Sequence, residues 1–269
     1  MTMPIEFFKM HGLGNDFIFI NQSNLHKKPS TEFITKVADR KIGLGCDQLI
    51  IFRRVGVCEY VVDIYNPDGS KAGMCGNAMR CLGLYAFEEN GEKLIQAHVD
   101  LRHIHIETIS ARKINVNMGK ASFEENWMPK IGTISDAILD YQLNLKDIIC
   151  VDMGNPHIVI FYDNLSYPDL ELLGRVMQYK NLFPDGVNVN FAKIKDNSIE
   201  LRVYERGAGF TLACGSGACA TFSAAHKLKF ITESATIRFE FGNLRMSYLD
   251  EDIIMSGAAQ KVAIGRYYG

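Results

Sequence analysis

Two short segments of the sequence each place a cysteine before a run of small residues. The first covers residues 73–81 (GMCGNAMRC) and the second residues 212–219 (LACGSGAC). In each segment a cysteine, Cys75 or Cys214, lies just before a small, flexible turn at a predicted helix start. The start of a helix carries a partial positive charge and unpaired N–H groups. It can therefore lower the pKa of a thiol and bind the carboxylate of a small substrate.

A pair of thiols in such positions fits one class of reaction, the inversion of a carbon stereocentre. One thiolate removes the α-proton, and the thiol on the opposite face delivers another. The amides at the two helix starts stabilise the charge that develops on the substrate carboxylate. We therefore expect the helix starts after Cys75 and Cys214 to face one small anionic substrate.

Three pairs of landmarks recur along the chain at nearly the same offset, which indicates a duplication. Three offsets that agree within two residues would rarely arise by chance. The sequence therefore predicts two homologous halves rather than many short repeats. The pairs are Gly14-Asn15 with Gly154-Asn155 (offset 140), Tyr65 with Tyr204 (offset 139), and Gly45 with Gly186 (offset 141).

Each half combines strand-like segments with one helix. β-branched, aromatic and alternating residues predict strands at 60–65 and 199–204, followed by further strands later in each half. Helical spacing of apolar residues predicts helices at 78–89 and 218–229. The fold class is therefore α+β, with two homologous pseudo-symmetric domains that each wrap a mainly antiparallel sheet around a central helix.

The duplication also places the domain boundaries. We expect the first domain to comprise residues 1–119 together with a returning C-terminal strand at 257–269. The second domain is expected to comprise residues 120–256.

Composition narrows the classes of function. The chain has 269 residues, with Lys+Arg 29 against Asp+Glu 31 and a net charge of −2, which argues against a dedicated nucleic-acid binder. Seven cysteines cannot form a fully paired secreted framework. Neither a signal peptide nor a membrane-spanning apolar run is visible. We therefore expect a cytoplasmic protein with reduced thiols that binds no nucleic acid and no membrane.

The remaining cysteines have a simpler interpretation as packing residues, because cysteine is among the most buried residue types. A structural zinc site is disfavoured, since no C-x-x-C spacing occurs, and no phosphate-binding glycine motif supports a nucleotide site. A thiol-redox or metal-binding protein stays an alternative from another functional class. The packing cysteines are Cys46, Cys58, Cys81, Cys150 and Cys219.

Taken together, the motifs resemble those of the diaminopimelate epimerase family over essentially the whole chain. They are HGLGNDF (11–17), DQL (47–49), NPDGS (66–70), MCGN (74–77), GNPH (154–157), GVNV (186–189), YERGAG (204–209) and ACG (213–215). The resemblance implies the fold of that family and the conversion of LL-2,6-diaminopimelate to meso-diaminopimelate, in lysine and peptidoglycan precursor biosynthesis. It also implies a homodimer that uses neither pyridoxal phosphate nor any other cofactor, and no metal.

The resemblance further implies a role for each matching residue. Cys75 and Cys214 would be the acid/base pair. The other positions would bind substrate: the reacting carboxylate at Gly76, Asn77, Gly215 and Ser216, the reacting amino group near Glu205 and Asn66 with His157 close by, and the distal amino-acid end at Asn15, Asn66, Asn155, Asn188 and Arg206, with Gln48 lining the site.

An alternative of the same fold is a proline racemase-like amino-acid racemase. Enzymes of that group typically carry His where this chain has Asn77, and they lack the asparagine set for a second amino-acid head. The chain departs from the diaminopimelate epimerase pattern at Ala78, usually Gly, and at Cys46, more often Ala. We expect Ala78 to be helical already, in which case alanine stabilises the helix.

Overall fold

The chain divides into two units, the second of which interrupts the first in sequence. The first unit comprises Met1–Asn117 and Ser256–Gly269, and the second comprises Met118–Met255. The structure, a computed structural model, describes residues 4–25, 27–139, 145–178 and 182–269.

The strands are numbered in chain order. They are β1 (Ile5–Gly12), β2 (Asn15–Asn21), β3 (Gln48–Gly56), β4 (Glu59–Tyr65), β5 (Lys71–Ala72), β6 (Leu94–Val99), β7 (Arg102–Ser110), β8 (Lys113–Asn117), β9 (Leu145–Asp152), β10 (Pro156–Tyr162), β11 (Asn188–Lys195), β12 (Ser198–Glu205), β13 (Gly209–Thr211), β14 (Ser234–Phe239), β15 (Gly242–Leu249), β16 (Asp252–Gly257) and β17 (Gln260–Tyr267). The helices are α1 (Thr31–Ala38), α2 (Gly76–Asn90), α3 (Ile131–Leu139), α4 (Tyr167–Met177) and α5 (Gly215–Lys227), and a short 3-10 turn spans Gln22–Asn24.

In the first unit the strands form one mixed sheet. Antiparallel pairs join β17 to β1, β1 to β2, β3 to β4, β4 to β5, β6 to β7 and β7 to β8. Parallel pairs join β2 to β3 and β4 to β6. The sheet is therefore mainly antiparallel, and the strand that follows the second unit in sequence, β17, pairs with β1.

Helix α2 lies at the centre of the first unit. It contacts β1 and β17 as well as β6, β7 and β8, so the curved sheet surrounds it. Met79, Cys81, Leu82 and Leu84 are all buried, and so is Arg80, as expected of a helix surrounded by a sheet. Ala78 lies inside this helix, as the sequence predicts, and its backbone needs no left-handed conformation.

The second unit repeats the same pairing scheme. Antiparallel pairs join β9 to β10, β11 to β12, β12 to β13 and β14 to β15, and parallel pairs join β10 to β11 and β12 to β14. Helix α5 contacts β9, β10, β11, β12, β14 and β15. The α+β class and the duplication predicted from the sequence are confirmed by this repetition of strand order and helix position.

The prediction of one helix in each half was wrong. Helix α1 connects β2 to β3 and α4 connects β10 to β11, and both strand pairs are parallel. Parallel neighbours need a crossover connection, which is usually helical. Each of these helices packs against an apolar cluster of its own unit. Helix α1 contributes Ile34 and Val37 to one cluster, and helix α4 contributes Leu170 and Leu173 to the other. Helix α3 adds a further element to the second unit.

Candidate active site

Tight turns place an equivalent asparagine in each unit. Asn15 begins β2 after the turn at Leu13 and Gly14, whose φ angles are 58° and 86°. Asn155 precedes β10 after Gly154, whose φ angle is 88°. Angles of this sign favour glycine because it has no Cβ. The two asparagines thus occupy corresponding places at the start of corresponding strands.

In the first unit the asparagine contacts the segment that carries Cys75. Asn77, in the first turn of α2 with Gly76, donates from Nδ2 to Asn15 Oδ1 at 3.1 Å. The Cys75 thiol lies 3.9 Å from the same oxygen and is oriented to donate to it. The amide nitrogen of Asn15 donates to Asp47 Oδ2 at 2.9 Å. The structure therefore brings three of the predicted site residues, Asn15, Cys75 and Asn77, together.

A charged network fixes Asp47 behind this asparagine. Asp47 also accepts a hydrogen bond from the backbone N–H of Asp16 at 3.0 Å, and Arg40 contacts the carboxylates of both residues at 2.7 Å. Burial raises the pKa of Asp16, but hydrogen bonds from Arg40 and Lys9 outweigh it and bring that pKa to about 2. The Asp16 carboxylate can then only accept hydrogen bonds at neutral pH.

Gln48 and Asn66 form a separate polar pair in the first unit. Gln48 donates from Nε2 to Asn66 Oδ1 at 3.2 Å, and Asn66 donates to Ser70 Oγ at 3.1 Å. The Gln48 Oε1 atom is buried without a hydrogen-bond partner among the described residues. Such an atom is costly unless a ligand satisfies it.

In the second unit Cys214 caps helix α5. Its Sγ atom accepts a hydrogen bond from the backbone N–H of Gly217 at 3.4 Å and lies 3.5 Å from Ser216 Oγ. A Cβ atom at position 217 would lie 2.5 Å from Asn190 Oδ1 and 3.3 Å from the cysteine sulfur. Only glycine therefore allows the helix backbone this close approach. Gly215 and Ser216 lie in the first turn of the helix, which begins three residues earlier than the predicted range 218–229.

A row of side chains leads from the half-buried Ser216 to the fully buried Asn190. Asn155 Nδ2 lies 3.4 Å from Ser216 Oγ, and Asn155 Oδ1 lies 3.1 Å from His157 Nε2. The other ring nitrogen of His157 lies 3.1 Å from Asn190 Nδ2. Burial, helped by the charge of Arg206, outweighs the hydrogen bond with Asn190 and lowers the pKa of His157 to about 3. His157 is therefore neutral at physiological pH.

Asn188 joins strands β10 and β12 in the second unit. It donates from Nδ2 to the Pro156 carbonyl at 3.1 Å and accepts the backbone N–H of Arg206 on Oδ1 at 3.0 Å. The guanidinium of Arg206 donates to the Asp185 carbonyl at 2.9 Å. Glu205 accepts a hydrogen bond from the hydroxyl of Thr211. Asn190 Nδ2 also lies 3.4 Å from the Asn188 carbonyl oxygen. Hydrogen bonds therefore connect Asn188 and Arg206 with the row that leads to Ser216.

Four of the five cysteines interpreted as packing residues are buried. Burial raises the pKa of Cys46 and of Cys150 to about 12, and it raises that of Cys81 as well. These thiols are inert at neutral pH. The interpretation of Cys58 was wrong: it is only partly buried and lies in the turn between β3 and β4 with a φ angle of 57°.

Two residues of the site were missed as functional candidates. The sequence points to Asp47 only as part of a motif, and it does not mark Asn190 at all. Asn190 stands two positions after Asn188 on β11, so alternation along the strand puts both side chains on one face. A buried polar residue on the face that packs against a helix is the signal that could have identified it.

The neutral state of His157 predicts acid sensitivity. Its pKa falls from 6.5 to about 3 on folding, so the contribution of this residue to stability is present above pH 6.5 and is lost as the pH falls towards 3. The free energy of unfolding should drop by about 2 kcal/mol between pH 6.5 and 4.5 on this account. Urea unfolding, followed by fluorescence of Trp127, the chain's one tryptophan and part of the second unit, measures it.

Two variants isolate the contribution of that histidine. His157→Gln should show a smaller loss between the two pH values than the parent chain, because glutamine does not titrate. His105→Gln, at an exposed position on β7, should leave the loss unchanged. An equal pH dependence in His157→Gln and the parent would contradict the prediction.

Two absences bear on other functional classes. Among the residues placed by the structure, no three His, Cys, Asp or Glu side chains form a group that could hold a metal ion. No helix within the described ranges is both long and apolar enough to cross a membrane.

Comparison with known proteins connects these residues to one family. A family model described as diaminopimelate epimerase matches residues 7–124 and 149–262. A curated relative named diaminopimelate epimerase, from Rickettsia prowazekii (strain Madrid E), is 48% identical over 269 residues, which is 100% of this chain and 99% of the relative. A second of the same name, from Rickettsia felis, is 47% identical with the same coverage.

Solved structures share the fold at low sequence identity. A structure described as a predicted epimerase from Pseudomonas aeruginosa superposes with a TM-score of 0.76 at 12% identity, covering 98% of this chain and 99% of that one. A hydroxyproline epimerase from Agrobacterium vitis superposes with a TM-score of 0.65 at 10% identity, covering 99% of this chain and 91% of that one. These likenesses confirm the fold class predicted from the sequence.

Proposed function

Since this chain belongs to the diaminopimelate epimerase family, we propose that it converts LL-2,6-diaminopimelate to meso-diaminopimelate without a cofactor. The observation that carries the proposal is the placement of Cys75 and Cys214 before equivalent helices of the two units. The identity of nearly half the residues over the full length of named relatives supports the choice of substrate.

The proposed reaction is a transfer of two protons. The thiolate of one cysteine removes the proton from the α-carbon, which leaves a carbanion stabilised through its carboxylate. The thiol of the other cysteine then delivers its proton to the opposite face and becomes the thiolate. The reverse reaction exchanges the two roles, so neither an oxidant nor an added base is consumed.

The binding residues divide between the two ends of the substrate. We assign the reacting carboxylate to the backbone N–H groups of Gly76, Asn77, Gly215 and Ser216, since helix starts bind anions. The reacting amino group is assigned to Glu205 and Asn66, with His157 close by. Polar side chains with both donors and acceptors suit the distal zwitterion, and these are Asn15, Asn66, Asn155, Asn188 and Arg206, with Gln48 beside them.

The proposal extends to the cellular setting. We infer a homodimer in the cytoplasm that takes part in lysine and peptidoglycan precursor biosynthesis. Support for the dimer and the pathway comes from the family resemblance, and support for the compartment comes from two thiols that must stay reduced to act.

Isotope exchange tests the reaction directly. The purified, reduced chain is incubated with LL-diaminopimelate in deuterated water without pyridoxal phosphate. We expect meso product that carries deuterium at the inverted α-carbon, detected by chiral separation and mass spectrometry. L-proline, offered in parallel, should show neither exchange nor inversion.

The two results that contradict the proposal are distinct. Folded, reduced protein that neither exchanges nor inverts diaminopimelate would exclude the epimerase function. Inversion of L-proline instead would favour the proline racemase-like alternative.

A further inference from the structure

Two histidines lie opposite each other on the hairpin of β6 and β7 in the first unit. The two strands are antiparallel, and a two-residue turn, Asp100 and Leu101, joins them. The register pairs His98 directly with His103. Side chains of directly opposed residues lie on the same face of a sheet and contact each other. The register of the hairpin therefore holds the two rings together.

The face that carries these rings is open to solvent. His103 is exposed and His98 is half-buried. Neighbouring residues along each strand alternate to the other face, where Val99 and Ile104 are buried and where Arg102 begins β7. An ion from solution can therefore reach the two rings.

The rings contact each other through the same nitrogen atom of each. His98 Nδ1 lies 2.8 Å from His103 Nδ1, and the ring planes are perpendicular, with centroids 4.8 Å apart. A contact this short between ring nitrogens is a hydrogen bond, in which one ring donates and the other accepts through a lone pair. The accepting ring is therefore neutral, which is the form of imidazole that binds metals.

The separation of the two nitrogens matches that of neighbouring ligands on one metal ion. Imidazole nitrogens bind a divalent transition ion at about 2.0–2.1 Å, so two of them at a right angle lie about 2.9 Å apart, and at the tetrahedral angle about 3.3 Å apart. The observed 2.8 Å fits the right angle. Tetragonal Cu²⁺ and Ni²⁺ offer such positions, whereas structural zinc is tetrahedral.

We propose that His98 and His103 form a surface site for a tetragonal divalent transition ion, Cu²⁺ or Ni²⁺, which ties β6 to β7. The ion takes the place of the shared proton, which moves to Nε2 of the donating ring, and water fills the remaining positions. Rotation about the bond between Cβ and the ring, a broad torsion in histidine, turns both lone pairs towards the ion. The site takes no part in the proposed reaction.

The proposed site has two histidine ligands, so it differs from a group of three, which the described residues do not form. Gln96 Nε2 lies 3.4 Å from His103 Nδ1, and half a turn of this amide would bring its oxygen, a further donor atom, next to the pair. His105 lies opposite Gln96, one row farther from the turn. It is exposed on the same face, which makes it a matched control.

The charged groups on this face permit a cation to bind. Towards the turn, Lys71 contacts Asp63 at 2.7 Å and Asp100 at 4.0 Å, so two carboxylates oppose one ammonium group. Arg53 lies in the same row as His98 but two strands away, which is about 10 Å at the usual strand spacing. The nearby charges therefore sum to a negative excess beside the histidine pair.

Titration with Ni²⁺ tests the site, since Cu²⁺ would also oxidise thiols. The full, reduced chain carries ¹³C-labelled histidine, and the Cε1–H signals of its seven rings are followed by NMR as substoichiometric Ni²⁺, which is paramagnetic, is added. We expect the signals of His98 and His103 to broaden first. Broadening that begins at other rings, or none at all, would overturn the proposal.

Variants measure what each ligand contributes. His98→Thr and His103→Thr each remove one ring, and threonine is well tolerated in strands. Each should weaken Ni²⁺ binding, measured by isothermal titration calorimetry, by at least about tenfold, as changes at metal sites typically do. His105→Thr should leave the affinity unchanged. An affinity in His98→Thr equal to that of the parent would refute the site.

Thermal unfolding gives a second measurement. The folded chain holds the two rings together and the unfolded chain does not, so Ni²⁺ should raise the unfolding midpoint of the parent and EDTA should reverse the rise. His98→Thr should show a smaller rise than His105→Thr, and equal rises would contradict the proposal. None of these experiments contains substrate, so their outcome is independent of the epimerase assay.

Discussion

Replacing either Cys75 or Cys214 with alanine is expected to reduce epimerisation at least about 1,000-fold, because inversion needs a base on one face and an acid on the other. A single remaining thiol can remove a proton and return it to the same face, so exchange without inversion can persist. The assay must therefore follow the meso product by chiral separation, with deuterium content measured on the same samples. Both variants remove a small side chain and should stay folded.

The matched controls are cysteines inside the two helices that follow Cys75 and Cys214. Cys81→Ala in α2 and Cys219→Ala in α5 remove thiols that are fully buried. They should keep most of the activity, with a loss of stability that reflects a small cavity. A loss of inversion in folded Cys81→Ala equal to that in Cys75→Ala would show that the catalytic thiol of the first unit has been assigned wrongly.

Arg206→Lys is expected to lower kcat/KM for diaminopimelate about 100-fold, mainly through KM. A guanidinium binds a carboxylate through two parallel hydrogen bonds, and an ammonium cannot reproduce that geometry. The side chain is also held in place: the Cδ atom of Arg206 would lie 2.8 Å from a Cβ at Gly186, so the arginine stem crosses directly over that glycine. Steady-state kinetics with the LL isomer measure the effect.

The control for this variant lies on the preceding strand. Arg202→Lys changes an exposed arginine of β12 that stacks over Tyr167 at 5.3 Å, and it should leave KM unchanged. If Arg206→Lys behaves like Arg202→Lys, Arg206 does not bind the distal carboxylate and the assignment of that end of the substrate fails.

The sequence was sufficient to predict the helices that follow Cys75 and Cys214, because a glycine-rich turn before a run of apolar spacing marks a helix start. The sequence also contains a helix-start pattern before α4, which the prediction of one helix in each half overlooked. Ser166 and Asp169 form a capping box with Pro168 between them, and this spacing of residue types is typical of a helix start. The crossover helices lie outside the repeated cysteine segments, so the duplication alone does not reveal them.

The different hydrogen-bond partners of Asn15 and Asn155 could not be predicted from the sequence. Both positions hold the same residue type in equivalent places of the duplication, so the pattern treats them as identical. Asn15 contacts Asp47 in one unit, whereas Asn155 contacts His157 in the other. Those contacts exist only once neighbouring strands have come together, so local sequence does not contain them.

The pairing of β17 with β1 has a consequence for synthesis on the ribosome. The partner of β1 is translated only after the whole of the second unit, Met118–Met255. At typical rates of about 5 to 20 residues per second, translation of that unit takes roughly 7 to 28 s. During this interval one edge of β1 has unsatisfied backbone groups and can pair with other nascent chains. The second unit is continuous in sequence and can complete its folding first.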